Sequence, residues 1–489
     1  MKKKNFKWWI ALPAAVAILP LIAASCEKKD NSGNGGSGQD MNKKLDQLDN
    51  GMNGNGQDNR DFTKTYAKTD IAKIRPIAQK KDAEIKQAIE SGNTKKLDIV
   101  LLIAGEKLID LSFNQSVWEA ISQHSIQTKN ITSSYLEPFD DAAVTKSYDE
   151  LISGPKNVWV LTGFKHSYLF KKWLLNGNGR NLDALANSNA VVVGVDWILD
   201  GLTPEQQEKL KGKIITLNYK IEEAAWIAGY AAADFLAKKY PNAADREKRG
   251  IATFGGHPRK EVTNFITGFL GGIKNFNNEP NNKDKKALIT SNPIVIDTNF
   301  NTENPAKINI VQNITKNGNP AIILPVAGPF ITVVAKEIIS SKTAQSIIGV
   351  DNDQSKNFPR QESLFFTSIE KRIGATIYRV LTDLFTKKQD SDIISDFNKT
   401  KKIENVRLGY WDEFVSLSDS TKTDNDKTLA GQSIVNAIEM FKKIVSQENK
   451  ANAVKLLGIK EMVEVAPEGK TVKEVNGEIL NALIKEINA

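Results

Sequence analysis

Leu97-Asp98-Ile99-Val100-Leu101-Leu102-Ile103, followed by Ala104-Gly105, is a short and nearly unbroken apolar run. A strand covered by helices on both faces reads this way, because neither of its alternating sets of side chains meets water. Runs of the same character recur at 157–161, 190–195, 213–219, 250–254, 293–297, 321–324 and 346–350. Between them lie helix-period stretches, at Gln115–Gln127, Ile221–Lys239, Lys260–Asn275, Phe330–Ser340 and Thr367–Thr386. This alternation predicts an α/β fold with parallel sheets. Its length suits two doubly wound lobes of about five or six strands each better than one wide sheet.

Upstream of that core the single cysteine of the 489-residue chain, Cys26, excludes an internal disulfide, a cysteine-built zinc site and an iron–sulfur cluster. It closes a segment with Lys2, Lys3, Lys4 and Lys7 at its start and an apolar run from Trp8 to Ala24, broken by Pro13 and Pro20. That run is too short for a comfortable membrane span and reads as a signal peptide. Leu21-Ile22-Ala23-Ala24-Ser25-Cys26 resembles a bacterial lipobox, which implies cleavage before Cys26 and lipidation, palmitate included, of the new N-terminus. Two or three acyl chains then hold the protein to the outer face of the cell membrane. Loss of residues 1–25, with four lysines and no acid, lowers the formal charge from +8 to +4. So small and dispersed an excess predicts no nucleic-acid partner. Residues 26–60 comprise the lipidated cysteine and a Gly- and Asn-rich tether with an r.m.s. reach of about 30 Å. Residues 61–96 read as a polar helical extension, 97–415 as the two-lobed body, and 416–489 as helices packed on a lobe.

In open parallel sheets the ligand lies beyond the carboxyl ends of the strands. Those positions carry Asp110 to Gln115, Thr162-Gly163-Phe164, Asp196-Trp197, Gly255-Gly256-His257, Asp297 to Phe300, Ala327-Gly328-Pro329 and Asp351-Asn352-Asp353-Gln354. Carboxylates, carboxamides, aromatics and glycines suit a neutral ligand with a flat ring and hydroxyl groups. Catalytic patterns are missing: no phosphate loop, no Gly-x-Ser-x-Gly elbow, no His-Glu-x-x-His, and three histidines, His124, His166 and His257, scattered along the chain. Asp351 and Asp353 begin like a calcium loop that lacks its glycine and closing glutamate. The expectation is therefore a binding protein, with no catalytic residue, metal or cofactor.

Asp110-Leu111-Ser112-Phe113-Asn114-Gln115 resembles the first ligand loop of the basic membrane protein family, lipoproteins that serve ABC importers as nucleoside receptors. Further blocks occur in the family order: Thr162 to Phe164, Ile221 to Gly229, Phe254 to Gly256 with Phe265 to Phe269, Pro325 to Gly328, and Ile348 to Gln354. The chain is also similar to the mollicute surface lipoproteins of that family. The resemblance implies a fold like the type I periplasmic binding proteins, with two doubly wound lobes, three crossings and a ligand cleft between them. Lobe 1 would hold about 97–218 plus a segment returning near 352–390, and lobe 2 about 220–350 plus later segments. Crossings are expected near Tyr219-Lys220, Asp351–Asn357 and Thr367.

Carried over by position, Phe113 and Phe300 would enclose a base, and Asn114 and Asp196 would bond its edge. Asp351, Asp353 and Lys371 would take ribose hydroxyls, Gly328 would let the backbone approach the sugar, and Asp110 would add a polar contact. Family members often have paired acids where this chain has Ile109-Asp110. Read without the resemblance, Phe113 is a first-turn core aromatic, Asp351 a helix cap and Lys371 a solvated helix residue. Trp118 and Trp226 read as core. The implied partners are a nucleoside, preferably a purine, the permease of the same transporter and the membrane through the lipid, with the protein itself a monomer. The alternatives are a sugar or other small-solute receptor on the same fold, or a surface adhesin without a transport role.

Overall fold

In a computed structural model the chain is described at residues 71–104, 107–108, 110, 113–129 and 132–489. Cys26, the signal peptide and the tether lie outside the described residues. Twelve strands are present among those described: β1 Ile99–Ile103, β2 Ser134–Leu136, β3 Val158–Thr162, β4 Val191–Val195, β5 Ile214–Tyr219, β6 Gly250–Gly255, β7 Leu288–Ile289, β8 Ile322–Val326, β9 Ser346–Asp351, β10 Phe365–Lys371, β11 Glu404–Leu408 and β12 Val415–Leu417. They form two six-stranded sheets, ordered β2-β1-β3-β4-β5-β11 and β7-β6-β8-β9-β10-β12. All pairs are parallel except β10 with β12. The pleat explains the unbroken apolar runs: Ile99, Leu101 and Ile103 enter one core, while Val100 and Leu102 enter another with Trp159, Leu161, Val192 and Ile214.

Three crossings join the lobes, and two of them lie elsewhere than expected. The first, Tyr219-Lys220, runs from β5 into helix Ile221–Lys239 as expected. The segment 351–357 stays in the second lobe as a turn leading to β10, and Thr367 lies inside that strand. The second crossing follows Lys371, where helix Ile373–Phe385 packs on helix Phe113–Gln127 of the first lobe. The third is 409–414, between β11 and β12. The returning segment is therefore 373–408 rather than 352–390. The helical stretch expected from Thr367 divides because Phe365 to Lys371, rich in Phe, Thr and Ile, is buried along its whole length as a central strand. Residues 293–297 form no strand; the edge is the two-residue β7 just before them.

The crossings lie side by side, with Lys220 N–H donating to the Leu408 carbonyl (2.9 Å) and Arg372 N–H to that of Phe414 (2.9 Å). The buried Glu223 carboxylate accepts from Tyr410 N–H (2.8 Å), and a side chain at Gly409 would collide with it at 2.2 Å. Beyond the hinge, helix Ile221–Lys239 meets helix Lys260–Asn278 backbone to backbone: a Cβ on Gly229 would lie 2.0 Å from the Phe269 carbonyl oxygen, and one on Gly272 2.0 Å from that of Trp226. The small residues of the Ile221–Gly229 block thus serve packing, as do Trp118 and Trp226, both buried.

The two additions are built into the lobes. Helix Ile71–Glu90 lays Ile71, Ile74, Ala78 and Ile85 against the first-lobe helices Phe113–Gln127 and Ile373–Phe385. Its Lys73 bonds Glu370 of β10, next to the second crossing. Helix Asp424–Ile444 packs on Ile221–Lys239, and helix Val472–Asn488 on Lys260–Asn278, both in the second lobe.

Candidate functional site

The carboxyl ends of the two sheets come together at one ion cluster. Lys371, the last residue of β10, is almost wholly buried, and its ammonium lies 2.7 Å from Asp196 Oδ2 at the end of β4. Asp351, at the end of β9, approaches the same ammonium at 3.5 Å. The ring centroids of Phe113 and Phe265 lie 5.9 and 5.1 Å from it. One cation thus joins carboxylates of both lobes beneath two aromatic rings. Burial alone would depress the Lys371 pKa, but Asp196, Asp351 and Glu261 together raise it, so it stays charged. Burial raises the pKa of Asp351, with Lys371 opposing and Asp196 adding to the rise. Glu261, in the first turn of helix Lys260–Asn278, is pushed up to about 7, first by burial and then by Asp196.

Three expected residues share a backbone anomaly. Asp196, Phe300 and Asp351 have φ of 65°, 56° and 68°, a left-handed conformation costly for residues with a Cβ. Strain of this kind persists where surrounding structure holds a side chain in a required place. For Asp196 the hold is its N–H donating to the Leu217 carbonyl (2.8 Å). Phe300 lies over Gly256 at the end of β6, where any Cβ would meet the ring at 2.3 Å. A Cβ on Gly328, after β8, would touch only Gln354 Nε2, at an ordinary contact distance of 3.8 Å.

The other expected residues bond to their own lobe. Asp110 accepts from Asn114 N–H (2.8 Å) and Gln115 N–H (3.3 Å), which fastens the start of helix Phe113–Gln127. Asn114 is buried, donating to the Lys107 carbonyl and accepting from the Thr162 hydroxyl (2.8 Å). Asp353 accepts from Ser355 (2.6 Å) and stands 4.0 Å from Lys356. His166 is a core residue, with Nδ1 2.5 Å from the Tyr148 hydroxyl and Nε2 3.1 Å from the Leu102 carbonyl. The helix-cap reading of Asp351 and the solvated reading of Lys371 both give way to the ion cluster.

Glu261 and Arg259 are not among the expected site residues, and Phe265 stands among the sequence features only in the family block Phe265 to Phe269. A signal was present: they open the helix that follows Gly255-Gly256 at a strand end, and Glu261 and Phe265 stand one helical turn apart. Among the described residues no group of His, Cys, Asp and Glu is arranged to hold a metal ion.

A family model described as Bmp, ABC transporter substrate-binding protein PnrA-like, matches residues 96–454. The chain belongs to this family. The Bmp family makes the protein a substrate-binding component of an ABC transporter for small solutes, which implies an extracytoplasmic location, a ligand and a permease partner. The match begins at β1, leaving helix Ile71–Glu90 outside it. No curated protein matches the chain. Among solved structures, an ABC transporter solute-binding protein from Aeropyrum pernix K1 is 14% identical, covering 80% of this chain and 98% of its own, with a TM-score of 0.51. A transcriptional activator of the comK gene from Bacillus halodurans is 14% identical, covering 70% of this chain and 96% of its own, at 0.46. A periplasmic solute-binding protein from Actinobacillus succinogenes 130z with bound D-allose is 14% identical, covering 69% of this chain and 100% of its own, at 0.45. The Aeropyrum likeness, with the two parallel-dominated sheets, makes the fold that of the type I periplasmic solute-binding proteins.

Proposed function

We propose that this Bmp-family receptor captures a nucleoside, with a purine preferred, and is held at the membrane by lipid on Cys26. The observation that carries the reading is the cluster of Asp196, Lys371 and Asp351 beneath Phe113. With Glu261 it sets three carboxylates around one ammonium, leaving acceptor oxygens to spare. A ribose brings hydroxyl donors to such a site, and a base brings a flat face to Phe113 on one side and Phe300 on the other. Each stacked face is worth about 1–3 kcal/mol. Gly328, without a side chain, leaves room for the sugar. Asp110, Asn114 and Asp353 serve this site by shaping its loops, Asn114 by fixing helix Phe113–Gln127 to β3.

The deciding experiment is calorimetric titration of the folded protein with adenosine, guanosine, inosine, uridine and D-ribose. Saturable binding of purine nucleosides, with ribose weaker, supports the reading. Binding of ribose alone makes the protein a sugar receptor, and silence toward all five at millimolar concentration removes the nucleoside proposal. The anchor is tested separately: Cys26→Ser should release the protein into the medium, and a variant still held by the cell would rule it out.

A further inference from the structure

Away from the hinge the lobes meet a second time. Arg259, the residue before helix Lys260–Asn278, places its guanidinium carbon 5.3 Å from the ring centroid of Tyr168 and 5.7 Å from that of Phe164. Phe164 lies in the turn that leaves β3 of the first lobe, and Tyr168 in the first turn of the helix His166–Leu175 that follows it. Arg259 Nη1 donates to the Ser167 hydroxyl of that helix at 3.5 Å, and His257 sets its ring 5.2 Å from Phe164 at 36°. Among the described residues no carboxylate lies within ion-pair distance of Arg259, so its closest partners are rings of the opposite lobe. The Arg259 backbone is fixed, its carbonyl accepting from Val262 N–H (3.0 Å), Thr263 N–H (2.8 Å) and the Thr263 hydroxyl (3.0 Å).

The place of this contact decides what it can do. The crossings lie at the β5/β11 edge of one sheet and the β10/β12 edge of the other, while β3 and β6 stand several strands inward. At about 4.8 Å per strand the lever arm is on the order of 15 Å, so a modest hinge rotation separates Arg259 from both rings. A planar guanidinium attracted to ring faces forms a contact that exists only while the cleft is shut.

We propose that Arg259 is a positioning residue for ligand retention: it holds the lobes together through Phe164 and Tyr168 and sets how slowly any bound solute escapes, without touching that solute. The ligand-release arm of its test rests on the nucleoside reading, whereas the closure arm does not. Arg259→Ala should raise the dissociation rate about tenfold for every nucleoside that binds, with association nearly unchanged. Arg259→Lys should recover only part of the loss. Tyr168→Leu should give a similar rise, and the double variant should be no worse than the larger single one, because both remove one contact. Small-angle scattering of the ligand-free protein should show a larger radius of gyration for Arg259→Ala than for wild type. An unchanged radius of gyration, fully additive effects, or a loss confined to one nucleoside would overturn the proposal. Should wild type bind no nucleoside, that reading fails while scattering still decides on the clamp.

Discussion

The two lobes share one strand order but use their strand ends differently. In the first lobe Asp110 secures a helix start and Asn114 is bonded to Lys107 and Thr162. In the second, Asp351 approaches Lys371 at 3.5 Å, and the buried Thr298 hydroxyl and His257 Nδ1 have no hydrogen-bond partner among the described residues. At its strand ends the first lobe is a wall bonded to itself, with one projecting aspartate; buried polar atoms without a hydrogen-bond partner among the described residues occur in both lobes, Trp118 Nε1 and Ser122 Oγ on helix Phe113–Gln127 of the first and Thr298 Oγ1 and His257 Nδ1 at strand ends of the second. Buried polar groups in a native structure are satisfied by something, so Thr298 and His257, at strand ends of the second lobe, are open to the ligand or solvent.

Removing Lys371 is the harshest way to break this contrast. Lys371→Met leaves Asp196 and Asp351 facing one another without their cation and should cost about 3–5 kcal/mol of stability in chemical denaturation. A loss below about 1 kcal/mol would show that the cluster does not join the lobes.

Acid should separate the lobes next. Burial holds His124 and His166 of the first lobe at about 3, below the usual 6.5. Their contribution is complete above pH 6.5 and is lost as pH falls toward 3, by about 2 kcal/mol per imidazole at pH 5. Glu223 and Glu261 of the second lobe lie at about 7, above the usual carboxylate value. The folded state there binds the extra proton, so the second lobe gains stability as pH falls from 7 toward 4.5. Hydrogen exchange corrected for intrinsic rates should show helix Phe113–Gln127 losing protection at pH 5 while helix Ile221–Lys239 keeps it. Parallel loss in both would contradict the contrast.

Phe113→Ala should weaken every nucleoside alike by about 1–3 kcal/mol in calorimetry, since stacking does not read the base edge. A change limited to one base would assign the ring a different role. The smallest effect belongs to Asp110→Ala, about 1 kcal/mol of stability from a weakened helix start. Affinity falling further than stability would move Asp110 from the wall to the ligand.

The sequence made the doubly wound lobes legible because central parallel strands are apolar on both faces: β1, β3, β4, β5, β6, β8 and β9 all fall in runs visible by eye. The edge strands β2, β7, β11 and β12 are short or carry charge, so they left no such trace. Strand β10 was hidden because Glu370 and Lys371 look like solvated residues until their partners, Lys73, Ser416, Asp196 and Asp351, arrive from distant parts of the chain. The displacement of two crossings follows from this one strand. Site residues at strand ends could be located in advance, but their pairing could not: Asp196 and Lys371, given separate tasks on the ligand, are bonded to each other across 175 positions.

A crystal structure of the protein with inosine should show the base between Phe113 and Phe300 and the ribose hydroxyls on Asp351 and Lys371, with Arg259 seated on Phe164 and Tyr168. Inosine lodged anywhere outside the meeting of the two sheet ends, or a base unstacked from both rings, would contradict this arrangement.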